Sequence, residues 1–225
     1  MLKNGIEVRK RNSINYIYRD NRPLAKKPWL GGMFSRLYDS IMKNSIFPKK
    51  FEASLDVHNR FLERELGNVH DKRILELATG SGNLSDFLPD DNDYIGTDIS
   101  GGLLKVADGK FRRRKFDRFE LFASPAEDIP VRDGYADICI CNLSLNFFGD
   151  LEQVIMEIRR TVKSGGVFIC TVPVPERNKR KSIIRGTLRS ESDIQEMFEN
   201  AGFEFSPYDI INGALLYFRA IRTQK

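Results

Sequence analysis

Ile74-Leu75-Glu76-Leu77-Ala78-Thr79-Gly80-Ser81-Gly82-Asn83 is a short apolar run that breaks into a turn carrying two glycines. The pattern then turns helical through GSGNLSDFL (80–88). Glycines in such a turn let the backbone approach a ligand closely, and the start of a helix offers unpaired N–H groups. Working outward, DYIGTDIS (93–100) reads as a second strand, with Asp98 near its end, 22 residues beyond Glu76. An acid at that strand end can hydrogen-bond both hydroxyls of a ribose, so the unit expects a nucleoside. FELFAS, ADICICNLS and GGVFICTVPV supply three further strands, with helices expected from Gly101 and, capped by Asp150, from Leu151. Alternating strands and helices imply right-handed crossovers and a parallel sheet covered on both faces. After a helix capped by Ser190, FEFSPYDI and ALLYFRAIRT are joined by a turn that suits only antiparallel neighbours.

The remainder of the composition bounds this picture. The chain has 225 residues, 41% hydrophobic and 30% charged, an ordinary globular balance expected to form one domain. No run approaches the ~18 apolar residues of a membrane span, and MLKNGIEVRK lacks the apolar region of a signal peptide, so a cytoplasmic location is expected. Of the net charge of +5, residues 1–28 carry eight Lys/Arg against two acids, which leaves the remaining chain near neutrality. Residues 1–28 are therefore expected to be a basic, loosely ordered arm, and residues 29–225 the folded domain. Helical spacing of Phe51, Leu55, Phe61, Leu62 and Leu66 predicts a helical cover over 29–68, broken at Pro48, ahead of the core at 72–225. Cys139, Cys141 and Cys170 lie in apolar strands without metal-ligand spacing; they are expected to be buried and reduced, with no metal site. His70 precedes the first core strand, on the edge away from the ligand crevice, whereas His58 lies on a covering helix.

The choice of nucleoside rests on the turn. A dinucleotide fingerprint wants a third glycine where Ser85 stands, and the Gly-Lys-Ser/Thr of a phosphate loop is missing. Glu76 sits four residues before the first of the two glycines, where it would repel a pyrophosphate but not the amino and sulfonium groups of S-adenosylmethionine.

Five segments in order make the chain resemble the class I S-adenosylmethionine-dependent methyltransferases, in their ubiquinone/menaquinone C-methyltransferase-like branch. They are MFSRLYDSIM, ELATGSG, YIGTDIS, SPAEDIPVRDGYADICICNLSLNFF and EIRRTVKSGGVFI. The resemblance implies an α/β fold: a Rossmann-like seven-stranded, mostly parallel sheet with a terminal antiparallel hairpin, helices on both faces and an amino-terminal helical cover. It also implies roles for individual residues. Glu76, Ala78, Gly80, Ser81 and Gly82 would line the methionine part of the donor, with Ala78 replacing a family glycine. Asp98 would hold the ribose and Ile99 would lie against the adenine, whose edge Ala126 and Glu127 would border. Asn142 and Leu143 would lie beneath the sulfonium, and Tyr38 would close over the donor. Asn146 stands where many relatives carry histidine, and no catalytic base is assigned. The implied activity is methyl transfer from S-adenosylmethionine to a small or lipophilic acceptor by in-line displacement. The alternatives are an RNA or protein methyltransferase recruited by the basic arm, or a non-catalytic S-adenosylmethionine-binding regulator. Nucleic acid is a less favoured partner, peripheral membrane association stays open, and the sequence sets no oligomeric state. Of the two basic clusters in the body, 177–185 leaves the ligand edge of the sheet and is expected to be a mobile substrate loop. The 110–118 cluster is expected to lead toward the opposite edge.

Overall fold

A computed structural model describes residues 1–25 and 38–224, with the backbone alone for Tyr38 and Asp39. Five of the strands expected from the sequence are β4 (Arg73–Leu77), β5 (Asp93–Asp98), β6 (Phe119–Ala123), β7 (Ala136–Asn142) and β8 (Val162–Pro173). They pair in parallel in the spatial order β6-β5-β4-β7-β8. The tail adds β9 (Phe203–Pro207) and β10 (Leu215–Arg222), with β10 inserted antiparallel between β8 and β9.

The expected seven strands are therefore present, but the sheet does not stop there. Residues expected to be a loose arm form β1 (Glu7–Arg11), β2 (Ile14–Arg19) and β3 (Arg22–Pro23). β2 pairs in parallel with β6 through Asn15–Phe122 and Tyr16–Ala123, so the hairpin extends the sheet to ten strands. The physical reason is burial: Ile14 and Ile17 are almost completely buried, and Tyr18 nearly so. The basic residues are also placed rather than left in solvent. Arg9 stacks over the Tyr18 ring, Arg11 over Tyr16, and Lys3 and Arg19 both pair with Asp128.

The helices follow their signals with two exceptions. Ser54 caps α2 (Leu55–Leu66), Ser100 caps α3 (Gly101–Arg113) and Asp150 caps α4 (Leu151–Thr161). A capping box between Ser190 and Asp193 starts α5 (Glu191–Asn200). The first exception is GSGNLSDFL, which makes only one 3-10 turn, Asn83–Asp86, because Gly82 enters it left-handed at φ +78° and Pro89 follows closely. The second is the covering region. Here α1 (Tyr38–Ile41) continues into a π-helical stretch, Met42–Phe51, that contains Pro48. The break comes instead at Glu52, whose left-handed backbone (φ +53°) turns the chain toward α2. No helix among the described residues is long and apolar enough to cross a membrane.

The sheet separates two apolar layers. Cys139, Cys141 and Cys170 face the layer built with α4 and α5, including Val154, Ile158 and Phe198. Ile74 and Ile140 face the layer built with α2 and α3, including Phe61, Leu66, Leu104 and Phe111. All three cysteines are buried and free. Glu76, next to Ile74 and Leu75 on β4, is buried with its carboxyl against Tyr94.

Candidate active site

The carboxyl ends of β4 to β7 open into a crevice of two cavities, about 280 and 410 Å³, that share Ala78, Gly80 and Ser144 in their walls. Open α/β sheets bind ligands at this edge. Asp98 organises the first cavity. One carboxylate oxygen accepts the Gly80 N–H at 2.9 Å and the other accepts the Ser100 N–H at 2.7 Å. Burial raises its pKa, and these two backbone donors act against that rise. The carboxylate thus ties the glycine turn to the end of β5. Ile99, 47% exposed, lines the same cavity with Ala126 and Glu127.

The two glycines of the turn serve different ends. Gly80 is left-handed (φ +58°), and a Cβ there would meet nothing nearer than the Ala78 carbonyl at 3.8 Å, so the backbone stays open to a ligand. Gly82 lines neither cavity. A Cβ on it would lie 2.8 Å from the Ala107 Cβ, so packing against α3 by itself requires its small size. Ala78 (φ +53°) and Leu143 (φ +59°) are both non-glycine residues held left-handed, and both line the crevice. Such strain concentrates where the surrounding structure fixes a binding surface.

The second cavity is rich in hydrogen-bond acceptors at its inner end. Glu76 lines it and accepts a hydrogen bond from the Tyr94 hydroxyl. Burial pushes the Glu76 carboxyl up to about 8; the Tyr94 and Thr79 hydroxyls oppose that shift, and Asp98 adds to it. The carboxyl is therefore mostly neutral at pH 7 and does not present the fixed negative charge assumed from the sequence. Asn142 and Leu143 line this cavity with Ser81, and the buried Asn142 Oδ1 has no partner among the described residues. The side chain of Tyr38 lies outside the described residues.

Several wall residues were not picked out from the sequence. Ser124, Phe147 and Phe148 line the first cavity, and Thr79 and Lys110 line the second. Lys110 belongs to the cluster expected at the opposite edge, yet it donates to the Asn83 side chain at the glycine turn. A helical turn places it there: Lys110 lies one turn beyond Ala107, which packs on Gly82. Segment 177–185 also departs from expectation. Arg177 donates to the carbonyls of Ile210 and Leu215 at 3.1 and 3.2 Å and pairs with Glu191 at 3.0 Å, so it is a structural tie. The Asn146 side chain donates to the Arg185 carbonyl at 2.6 Å, and the Asn146 backbone carbonyl accepts the Thr187 N–H. His70 pairs with Asp91 near the amino end of β4, away from the crevice. His58 is 2% exposed, lines the second cavity, and is pushed down to about 4 by burial.

These donors and acceptors fit S-adenosylmethionine better than a dinucleotide. The first cavity offers a carboxylate and an exposed apolar side chain where a nucleoside would lie, and its described walls include no Lys or Arg to hold a pyrophosphate. The second offers a carboxyl and an unpartnered amide oxygen, which suit cationic groups.

Comparison with known proteins agrees with this geometry. A family model described as a methyltransferase domain matches residues 75–170. A demethylmenaquinone methyltransferase of Bacillus pumilus is 25% identical over 65% of this chain and 63% of its own length. A ubiquinone/menaquinone biosynthesis C-methyltransferase of Acidiphilium cryptum is 31% identical over 52% of this chain and 49% of its own. The chain spans about half the length of the curated relatives it matches. Among solved structures, a SAM-dependent methyltransferase from Aquifex aeolicus superposes with a TM-score of 0.62 at 15% identity, covering 83% of this chain and 97% of that one. Geranyl diphosphate C-methyltransferase from Streptomyces coelicolor A3(2) superposes with a TM-score of 0.59 at 14% identity, covering 75% and 76%.

Proposed function

We propose that the chain is a class I S-adenosylmethionine-dependent methyltransferase of the ubiquinone/menaquinone C-methyltransferase-like branch and that it transfers a methyl group to a small or lipophilic acceptor; the matching methyltransferase domain and the named relatives support this. The observation that carries the reading is the Asp98 carboxylate, held by the Gly80 and Ser100 amides in the wall of the first cavity. Each of its oxygens keeps a lone pair for a ribose hydroxyl. Ile99, Ala126 and Glu127 border the place of the base, while Glu76 and Asn142 offer oxygen to the cationic end.

S-adenosylmethionine supplies an electrophilic methyl group on a good leaving group, so placement and exclusion of water account for much of the catalysis. The chain provides both. Met42, Phe47, Leu55 and Leu62 give the second cavity an apolar wall from the covering helices, which favours an apolar acceptor. The names of relatives acting on demethylmenaquinone and geranyl diphosphate support the same class of acceptor.

The test is calorimetric. Asp98→Ala should weaken S-adenosylhomocysteine at least about tenfold, since charge-assisted hydrogen bonds contribute roughly 1.5–3 kcal/mol. NAD should show no comparable affinity for either protein. Unchanged affinity in Asp98→Ala would remove the basis of the reading.

A further inference from the structure

His58 stands at the end of a hydrogen-bonded chain whose polarity is set by the backbone. The Ser54 N–H can only donate, and it donates to Asn212 Oδ1 at 2.7 Å. That fixes the Asn212 amide, whose Nδ2 donates to the Ser54 carbonyl at 3.0 Å and to the Tyr217 hydroxyl at 2.8 Å. The Tyr217 hydroxyl accepts from Asn212, and among the described residues His58 Nδ1, 3.4 Å away, is the acceptor within reach of its own proton. Burial holds the imidazole neutral, so its single proton resides on Nε2. Phe47 and Tyr217 pack against the ring, with centroids 5.1 and 5.9 Å away, and limit its rotation. Asn212 is itself clamped: the Ala214 N–H donates to the Phe51 carbonyl at 2.7 Å, which closes the turn at Gly213 over the start of α2. The chain joins residues 159 positions apart and ends in the wall of the second cavity.

We propose that His58, held as its Nε2–H tautomer by Asn212 and Tyr217, is the hydrogen-bond donor that binds the oxygen of an apolar, oxygen-bearing acceptor in the second cavity. The proposal rests on the methyl-transfer reading for the identity of that cavity, and it narrows the acceptor class. Among the described residues His58 Nε2 has no hydrogen-bond partner, and Met42, Phe47, Leu55 and Leu62 contribute apolar surface to the same cavity wall. The polar side chains of the cavity, among them Lys43, Asn59, Asn83 and Lys110, share its wall with this apolar stretch, and an N–H beside that stretch suits a molecule with a carbonyl, phenol or enol oxygen on a hydrocarbon frame. Tyr217 and Asn212 are positioning residues, since they act through the ring.

Two measurements test this. The full chain contains two histidines, so labelling with [15N]histidine gives two sets of ring signals, and a His70→Gln variant identifies the set that belongs to His58. His58 should show a bare Nδ1 and a protonated Nε2 at pH 7, and Tyr217→Phe should shift that balance toward the other tautomer. An Nδ1–H or doubly protonated His58 in the native chain would overturn the proposal. The second measurement compares 1-naphthol with naphthalene in the presence of saturating S-adenosylhomocysteine. One hydrogen bond corresponds to a preference of about fivefold for naphthol. His58→Phe should reduce that ratio to about one, and His58→Gln, which keeps an N–H, should retain part of it. Both variants should bind S-adenosylhomocysteine as the native chain does, which also certifies their folding. Equal affinity for the two probes, or binding of neither, would overturn the proposal. Failure of the native chain to bind S-adenosylhomocysteine would instead sink the methyl-donor reading, and the tautomer result would still judge the His58 chain.

Discussion

Replacing Glu76 by Gln should abolish a pH dependence of donor binding whose size follows from where the carboxyl sits. Burial lifts Glu76 from its ordinary value to about 8, and Tyr94 donates to the neutral or ionised group alike. A cationic donor end favours the ionised form, so binding must first remove the proton. At pH 6 that removal costs about 2.7 kcal/mol and at pH 7 about 1.4 kcal/mol, at 1.36 kcal/mol per unit. Donor affinity should therefore rise about tenfold per pH unit between roughly pH 5.5 and 7, a window in which an α-amino group of pKa about 8 stays charged. Titration calorimetry at pH 6.5 in two buffers of different ionisation enthalpy should count roughly one proton released per donor bound. Without ligand the sign is the reverse. The folded chain keeps a proton that the unfolded chain has lost, so this contribution to stability is complete below pH 4.5 and is lost as pH rises through about 8. In Glu76→Gln the proton release and the slope should both vanish. A flat profile in the native chain, or a slope that survives in Glu76→Gln, would refute the reasoning; survival would place the titration on Asp98 instead.

Two further substitutions test how the structure uses particular residues. Gly82→Ala should lower stability by about 2–4 kcal/mol in urea unfolding, from left-handed strain and overpacking against Ala107, while the folded fraction binds donor normally. Selective loss of donor affinity without loss of stability would put Gly82 on the binding surface. Arg177→Ala should cost roughly 2–3 kcal/mol by leaving the Ile210 and Leu215 carbonyls and Glu191 without their partner, whereas Lys179→Ala should stay within about 0.5 kcal/mol. Equal, small effects would mean that 177–185 is the loose loop its composition suggests.

What was legible in the sequence follows burial. β4, β5, β7 and β8 are covered on both faces, so they read as near-continuous apolar runs, and Asp98 stands out against them. The helix caps at Asp150 and Ser190 were equally plain, since each side chain answers a specific backbone donor. The hairpin was hidden by its charge. In INYIYR the buried isoleucines lie three apart rather than in strict alternation, and the surrounding arginines suggested a solvated arm. Gly82 carries a signal with two sources, because a glycine kept small for a helix looks, in sequence, like one kept small for a ligand. The acceptor end of the crevice was illegible for a different reason. His58, Asn142 and Tyr217 come from three separated segments, and no spacing rule joins a covering helix to the last strand.

The added hairpin also bears on how the chain is made. β2 can pair with β6 only after Phe122 and Ala123 have been synthesised, and the Lys3–Asp128 pair spans 125 positions. β1, β2 and β3 can pair with one another as a hairpin, but the edge that β2 offers to β6 must wait while about a hundred further residues emerge. Contacts of such long separation close slowly, because the intervening chain must be ordered first. During that wait Ile14 and Ile17 lack the cover they have in the folded sheet, and the dense positive charge around them keeps strand edges from meeting their own kind. Charge of this density would keep the waiting hairpin in solution, and the finished fold puts the same groups to use as stacking and pairing partners.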